Sequence, residues 1–185
     1  MAVHLVRRLI NVEEYLHMIK AGILTEQDKV ELINGEIIEM SPSGSKPADI
    51  IDRISNFLVS LLHKKAIIRV QSPIIISSLS APEPDIAVLK PKSDFYASRH
   101  PRAADTLLVI EVSDSSLSTD REVKLPLYAK AGIPEYWIVN LEKNEIEAHR
   151  SPQDDIYALR EILRPGKTIT FLGLEEEIEV ERLVG

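Results

Sequence analysis

The chain has 185 residues, 44% of them hydrophobic, and a net charge of −7, which suits one globular domain with a genuine core. It contains no Cys, and this excludes disulfides, thiolate metal sites, iron–sulfur clusters and a Cys nucleophile. No apolar run approaches the roughly 20 residues that cross a bilayer, and the first residues lack the apolar segment of a secretory signal. We therefore expect a cytoplasmic protein that has no membrane partner.

The negative charge is concentrated toward the C-terminus, and the rest of the chain is nearly neutral, so it can still present a basic cleft. The acidic segment is centred on Glu175, Glu176, Glu177, Glu179 and Glu181. We predict a single domain over residues 1–185, with its core at about 30–140 and an acidic β appendage at about 141–185.

The first third of the chain predicts a helix, a hairpin and a second helix. Asn11 and Glu14 form a capping-box pattern ahead of a short helix, which Gly22 would end. Asn34-Gly35 between two apolar runs predicts a two-residue hairpin turn, because both turn positions need a positive φ. Apolar residues at helical spacing then predict an amphipathic helix over about 48–64.

The remainder is rich in predicted strands, at about 67–71, 74–77, 85–89, 106–112, 135–140, 145–149, 156–163 and 168–172. Thr119 and Glu122 form a second capping pattern, which predicts a helix that ends at Gly132. Pro126 lies inside that helix, where it costs about 3 kcal/mol or introduces a kink. This order of elements predicts an α/β or α+β fold, in which helices pack on a mixed sheet.

Three carboxylates interrupt segments that otherwise consist of core residues. Asp85 precedes the strand IAVL, Glu111 lies inside TLLVIEV, and Glu31 lies inside VELI. Taken singly, each is more simply explained as a strand-end acid in solvent or as a lone ion pair. Together, acids brought to the same end of neighbouring strands would form an oxygen-ligand site suited to Mg²⁺ or Mn²⁺, which support phosphoryl chemistry.

A cation is expected beside such a site, and Lys124 is the candidate because it follows the Glu111 strand. Asp120, Lys124 and Tyr128 are spaced at i, i+4 and i+8, which places them on one face of the predicted helix. The alternative for this face is a solvated ion pair. Tyr136 and Trp137 are predicted to pack in the core rather than to stack on bases.

The segments PEPDIAVL, IEVSDSS and DREVKLPLYAKAGIPEYWIVN, preceded by ELINGEIIEMSP, resemble the Uma-two family of restriction-endonuclease-like proteins within the PD-(D/E)XK nuclease superfamily. The resemblance spans about Val30 to Asn140. It implies a restriction-endonuclease-like fold, in which a central mixed sheet is flanked by helices. It also implies an endonuclease that hydrolyses phosphodiester bonds in DNA with Mg²⁺ or Mn²⁺.

The resemblance also implies roles for single residues. Asp85 would bridge the metal, Glu111 would be the second acidic ligand, and the Val112 carbonyl would be a backbone ligand. The superfamily's usual lysine position is Ser113 here, so that Lys124 on the following helix would supply the positive charge.

The resemblance implies roles for two further residues, and a third position departs from the family pattern. Glu31 matches an upstream acid that helps to hold metal or water, and Gln71 matches a polar residue that lines the site. Family members commonly carry His where this chain has Pro47, and Lys46 or Asp49 are candidates to replace that His.

Two other functions remain open at this point: a catalytically inactive nuclease-fold module that binds nucleic acid or a protein, and a small-molecule hydrolase on the same scaffold. A homodimer is a further expectation, since a twofold pair of small nuclease domains addresses both DNA strands. The five His residues show no metal-ligand spacing. A phosphate-tracking surface or simply solvated charge is predicted for Lys64, Lys65, Arg69, Lys90, Lys92, Arg99 and Arg102.

Overall fold

The computed structural model describes residues 6–25, 27–40, 44–171 and 177–185. The helices are α1 (Val12–Lys20), α2 (Ser45–Leu61), α3 (Leu117–Thr119), α4 (Leu125–Lys130) and α5 (Glu181–Val184). The strands are β1 (Val30–Ile33), β2 (Glu36–Glu39), β3 (Ile67–Val70), β4 (Ile86–Leu89), β5 (Thr106–Ser113), β6 (Glu135–Asn140), β7 (Glu145–Gln153), β8 (Ile156–Leu163), β9 (Thr168–Thr170) and β10 (Glu177–Glu179). Across the described ranges, none of the helices combines the length and apolar character needed to span a membrane.

The centre of the fold is a six-stranded sheet with the order β3-β4-β5-β6-β7-β8. Its neighbouring strands are antiparallel except for β5 and β6, which are parallel. The predicted mixed sheet is therefore confirmed. Because parallel neighbours need a crossover connection, the chain between β5 and β6 passes over one face of the sheet as a helical segment. Two strands of the predicted acidic appendage, β7 and β8, extend this same sheet.

Each face of the sheet carries its own apolar core. On one face α2 and α5 pack against residues such as Ile110 and Trp137. On the other face α4 packs against Val109 and Tyr136. Both aromatic residues are fully buried, as predicted for the core. The fold is thus a sheet flanked by helices.

The N-terminal elements form as predicted and stand beside the main sheet. The Asn11 side chain accepts a hydrogen bond from the Glu14 N–H at 2.9 Å, and the Glu14 side chain accepts one from the Asn11 N–H at 3.0 Å. Asn34 and Gly35 have φ values of 51° and 82°, so the turn between β1 and β2 has the expected geometry. A small cluster that includes Tyr15 of α1 and Leu32 of β1 joins the helix to the hairpin.

The predicted strand at 74–77 is wrong. This segment forms only isolated bridges, since its N–H groups donate to loop carbonyls: Ile74 to Pro82 at 3.0 Å and Ile75 to Pro101 at 2.8 Å. The predicted strand at 168–172 is confirmed over Thr168–Thr170, which pairs with β10 apart from the main sheet. Its end at residue 172 lies outside the described residues.

The predicted helix cap at Thr119 is also wrong, because the helical segment begins two residues earlier and Thr119 itself has helical angles (φ −62°, ψ −43°). Between α3 and α4 the chain makes a π-helical turn over Asp120–Lys124, and the Leu125 N–H donates to the Asp120 carbonyl. Pro126 follows in the first turn of α4, where a missing N–H is tolerated. The wide π turn thus accommodates the proline that was predicted to kink a regular helix.

Glu147 of β7 connects the π turn to the strands β7 and β8 of the sheet. Its buried carboxylate pairs with Arg121 of the turn and with Arg160 of β8, the latter at 2.9 Å. Burial raises the pKa of Glu147, but His149, Arg121 and Arg160 outweigh that effect and lower the pKa to about 2. The folded state therefore favours the ionised carboxylate.

Glu147→Gln is expected to lower the free energy of unfolding at pH 7 by about 1–3 kcal/mol, because the arginines lose their charged acceptor. A depressed folded-state pKa gives stability that is complete above the ordinary carboxyl range near 4.5 and is lost as the pH falls toward 2. The difference between wild type and variant, measured by urea unfolding at several pH values, should shrink over that interval. The control is Glu161→Gln, which removes an exposed acid of β8; an equal pH dependence in both variants would contradict this account.

Candidate active site

The register of two neighbouring strands brings the predicted acid pair together. β4 and β5 are antiparallel and pair Ile86 with Ile110, so the next residues outward are Asp85 and Glu111. The Val112 N–H donates to Asp85 Oδ2 at 2.8 Å, and the Asp85 N–H donates to Glu111 Oε2 at 3.4 Å. The two carboxylates therefore lie side by side at one end of the strand pair, as the sequence predicted.

Lys124 reaches this pair from the π turn. Its ammonium group donates to Glu111 Oε1 at 3.0 Å and lies 3.4 Å from Glu31 Oε1. Lys124 is only 7% exposed, and both of its partners are buried. Glu31 comes from β1, which a backbone bridge between Leu32 and Ala81 holds against the main body. The solvated ion pair considered for Lys124 is therefore excluded.

The other two residues of the predicted helical face also point toward this centre. Tyr128 donates its hydroxyl to Glu111 Oε1 at 2.9 Å. Asp120 accepts hydrogen bonds from Ser113 at 2.6 Å and from Ser116 at 2.7 Å. Ser113, which stands where the sequence resemblance would place a lysine, thus holds Asp120, and Lys124 is the cation that contacts Glu111.

Burial dominates the electrostatics of the site. It raises the pKa of Glu111 well above the ordinary carboxyl range, and Lys124 offsets only part of this effect. Burial likewise raises the pKa of Asp85, against the hydrogen bonds from Val112 and Gln71. For Lys124 burial acts downward, but the Glu111 and Glu31 carboxylates outweigh it and raise its pKa. The lysine therefore stays charged, while the surrounding carboxylates carry more negative charge than Lys124 alone can balance.

The donor chemistry of the acid pair fits a hard divalent cation. In the described ranges no group of three or more His, Asp or Glu side chains has the arrangement of a complete protein metal site. Mg²⁺, however, is usually held by one or two carboxylates and keeps several waters. Among the described residues, Asp85 Oδ1 receives only a 3.4 Å contact from Gln71, and Glu111 Oε2 only the 3.4 Å contact from the Asp85 N–H. One oxygen of each acid is thus weakly engaged.

The acid pair faces a cleft of about 750 Å³ between the α1–hairpin unit and the ends of β4 and β5. Gln71 lines this cleft, as predicted, and so does Pro47. The two residues considered as replacements for the family His are engaged elsewhere. Lys46 donates to the Leu141 carbonyl at 3.3 Å, and Asp49 pairs with Arg53 at 3.4 Å.

Glu83 lines the same cleft and was not predicted from the sequence. Its N–H donates to Glu31 Oε2 at 3.1 Å, and burial together with the Glu31 carboxylate raises its pKa to about 6. The available signal was the PEPD segment, in which Glu83 stands two residues before Asp85. His100 and Asp114 also line the cleft, and nothing in their sequence spacing indicated it.

Most of the chain matches the model of one protein family. The model of the Uma2 family, described as "Putative restriction endonuclease", matches residues 12–182. The chain belongs to the Uma2 family. The match extends beyond the Val30–Asn140 segment that carried the sequence resemblance.

A solved structure provides a fold comparison. The chain is similar to a protein described as a "putative nuclease belonging to DUF820" from Anabaena variabilis ATCC 29413, with a TM-score of 0.73 over 95% of this chain and 97% of the other. The two sequences are 18% identical, so the likeness concerns the fold. No curated protein matches the chain. Family and fold are thus those of restriction-endonuclease-like nucleases.

Lys124→Met is expected to destabilise the protein by about 3–5 kcal/mol, because it leaves two buried carboxylates without their counter-charge. Adding Glu111→Gln should recover part of that loss, with a coupling energy of about 1–3 kcal/mol in a double-mutant cycle measured by urea unfolding. Purely additive effects would contradict the direct pairing of these two side chains.

Proposed function

We propose that this Uma2 protein is a metal-dependent endonuclease that hydrolyses phosphodiester bonds in DNA. The observation that carries the proposal is the juxtaposition of Asp85, whose N–H donates to the Glu111 carboxylate, with Glu111 itself, beside the buried ammonium group of Lys124. The family and the fold support nuclease chemistry at this place. β7 and β8 belong to the sheet that carries the acids, which supports assigning the whole chain to one nuclease domain.

Asp85, Glu111 and the Val112 carbonyl are the proposed ligands of Mg²⁺ or Mn²⁺. When bound, the ion would lower the pKa of a water and neutralise charge on the phosphate. Val112 also fixes Asp85, because its N–H donates to that carboxylate at 2.8 Å. The same residue thus would serve the site through its N–H and its carbonyl.

Lys124 is proposed to stabilise the negative charge that develops on the phosphodiester. Its charge is secured by Glu111 and Glu31, so it needs no reorganisation when substrate arrives, which is the requirement for electrostatic preorganisation. Tyr128 restricts Glu111 by a second hydrogen bond to the oxygen that Lys124 contacts. Glu31 is proposed to hold the lysine in place from the hairpin side.

Asp85→Asn tests the proposal with little change in shape. We expect DNA cleavage in Mg²⁺ or Mn²⁺ to fall by at least about 100-fold, because a preorganised charged group at the reacting centre is lost. The matched control is Asp114→Asn, which neutralises an exposed acid of the same cleft and should retain activity within about twofold. Cleavage is measured on supercoiled, linear and single-stranded DNA, with EDTA as the metal-free condition.

Equal activity of Asp85→Asn and wild type would refute the assignment of the acid pair. An absence of cleavage on every DNA, combined with intact DNA binding, would instead support the inactive nuclease-fold module. That second function is favoured by one observation: Pro47 lines the cleft at the position where family members commonly carry His.

A further inference from the structure

A surface beside the cleft combines positive charge with an exposed aromatic ring. Arg69 of β3 and the residues Lys92 and Arg99 of the loop between β4 and β5 surround one ring, that of Tyr96. Their cationic groups lie 5.9, 5.5 and 5.6 Å from its centroid. The adjacent Phe95 is 70% exposed. We call this surface the basic aromatic patch, and define it as Lys64, Arg69, Lys92, Phe95, Tyr96 and Arg99.

The backbone of the patch is held in an unfavourable conformation. Phe95 and Tyr96 both have positive φ values, 51° and 60°, which bulky residues rarely adopt. Buried Tyr96 sustains this conformation, since its hydroxyl donates to the Lys90 carbonyl at 2.8 Å and its N–H to the Asp94 side chain at 3.1 Å. As a result, the Phe95 ring is directed into solvent. Backbone strain that the surrounding contacts maintain in this way is typical of functional sites.

Beside that ring is a shallow cavity of about 310 Å³, which Lys64, Lys92 and Phe95 help to line. The charge of the patch contrasts with the net charge of −7 of the chain. Arg99 pairs with Asp105 and Lys92 with Asp94, whereas Arg69 and Lys64 form no ion pair within the described part of the chain. The patch therefore retains free positive charge beside an apolar ring.

The patch adjoins the cleft along one face of the sheet. Arg69 pairs with Ala87, and Ala87 with Val109, so Arg69 lies on the face of the sheet that also carries Glu111 two residues further along β5. Gln71, two residues after Arg69, contacts Asp85. Burial, and then the charge of Arg69, lower the pKa of His100, which lines the cleft. A chain bound along the patch would thus lead toward the acid pair.

We propose that the basic aromatic patch binds an unpaired DNA strand next to the cleft, with a base stacked on Phe95 and phosphates held by Arg69 and Lys64. Protein surfaces that bind single strands combine cations along the backbone with aromatic rings that stack on bases. A paired base is not free to stack, so the patch selects DNA that has a single-stranded segment. This inference rests on the proposed function only for naming DNA as the substrate.

The test is binding without metal, where cleavage cannot interfere. Fluorescence anisotropy in EDTA compares a labelled 20-nucleotide single strand with a hairpin duplex. Phe95→Ala is expected to weaken single-strand binding by about 5- to 100-fold and to change duplex binding much less. The matched control is Leu159→Ala, which truncates an exposed residue of β8 at the opposite edge of the sheet and should leave binding unchanged.

Arg69→Gln tests the charge component. It should reduce the slope of log K against log salt by about 0.7 for the single strand, whereas Arg182→Gln, on α5 at the other face, should not. Thermal unfolding followed by circular dichroism verifies that each variant is folded. Single-strand affinity that is insensitive to both Phe95→Ala and Arg69→Gln would overturn the inference, as would equal effects of Phe95→Ala on single strand and duplex.

Asp85→Asn separates this inference from the proposed function. Its metal-free single-strand binding should stay within about threefold of wild type, since the patch and the acid pair are different groups. Wild-type protein that cleaves no DNA but shows Phe95-dependent single-strand binding would refute the nuclease proposal alone. Cleavage that depends on Asp85, together with binding that ignores Phe95, would refute the patch alone.

Discussion

The site depends on one carboxylate, Glu111, in a strand whose neighbouring residues are all core. A buried carboxylate without partners costs several kcal/mol, so β5 can carry it only with compensation. The Lys124 ammonium at 3.0 Å and the Tyr128 hydroxyl at 2.9 Å provide part of it. Both residues come from the crossover between the parallel strands β5 and β6, and the Arg121–Glu147 pair holds the same segment against β7. The sheet topology therefore determines the site geometry, because the crossover that joins the parallel strands also supplies both partners of Glu111.

Asp85 is the one acid of the pair that a purely structural ion-pair cluster would not explain. Glu31, Lys124 and Glu111 satisfy one another, and a purely structural role would account for that trio. Asp85 forms no ion pair with any residue in the described ranges. It receives one good hydrogen bond, from the Val112 N–H, and burial raises its pKa. Asp85 is thus half-buried beside another acid and has no ion-pair partner of its own among the described residues. This arrangement is understandable if a divalent ion supplies the missing positive charge.

The convergence of Asp85, Glu111 and Lys124 was predictable because it follows from strand order and helical spacing, and the family resemblance pointed to the same residues. The central mixed sheet and the Asn34-Gly35 turn were predictable for similar local reasons. The segment at 74–77 was not, since its apolar residues pair with loops that periodicity does not reveal. The π turn was missed because the i, i+4 pattern cannot register one additional residue per turn. Glu83 and Phe95 depend on loop conformations, which leave no periodic signal.

Manganese binding followed by electron paramagnetic resonance and titration calorimetry tests the central claim most directly, because it requires neither substrate nor turnover. The account predicts that wild type binds Mn²⁺ and that Asp85→Asn abolishes this binding, whereas Asp114→Asn in the same cleft preserves it. Wild-type protein that binds no Mn²⁺ at millimolar concentration, or Asp85→Asn that binds it as well as wild type, would contradict a metal centre at the paired strand acids.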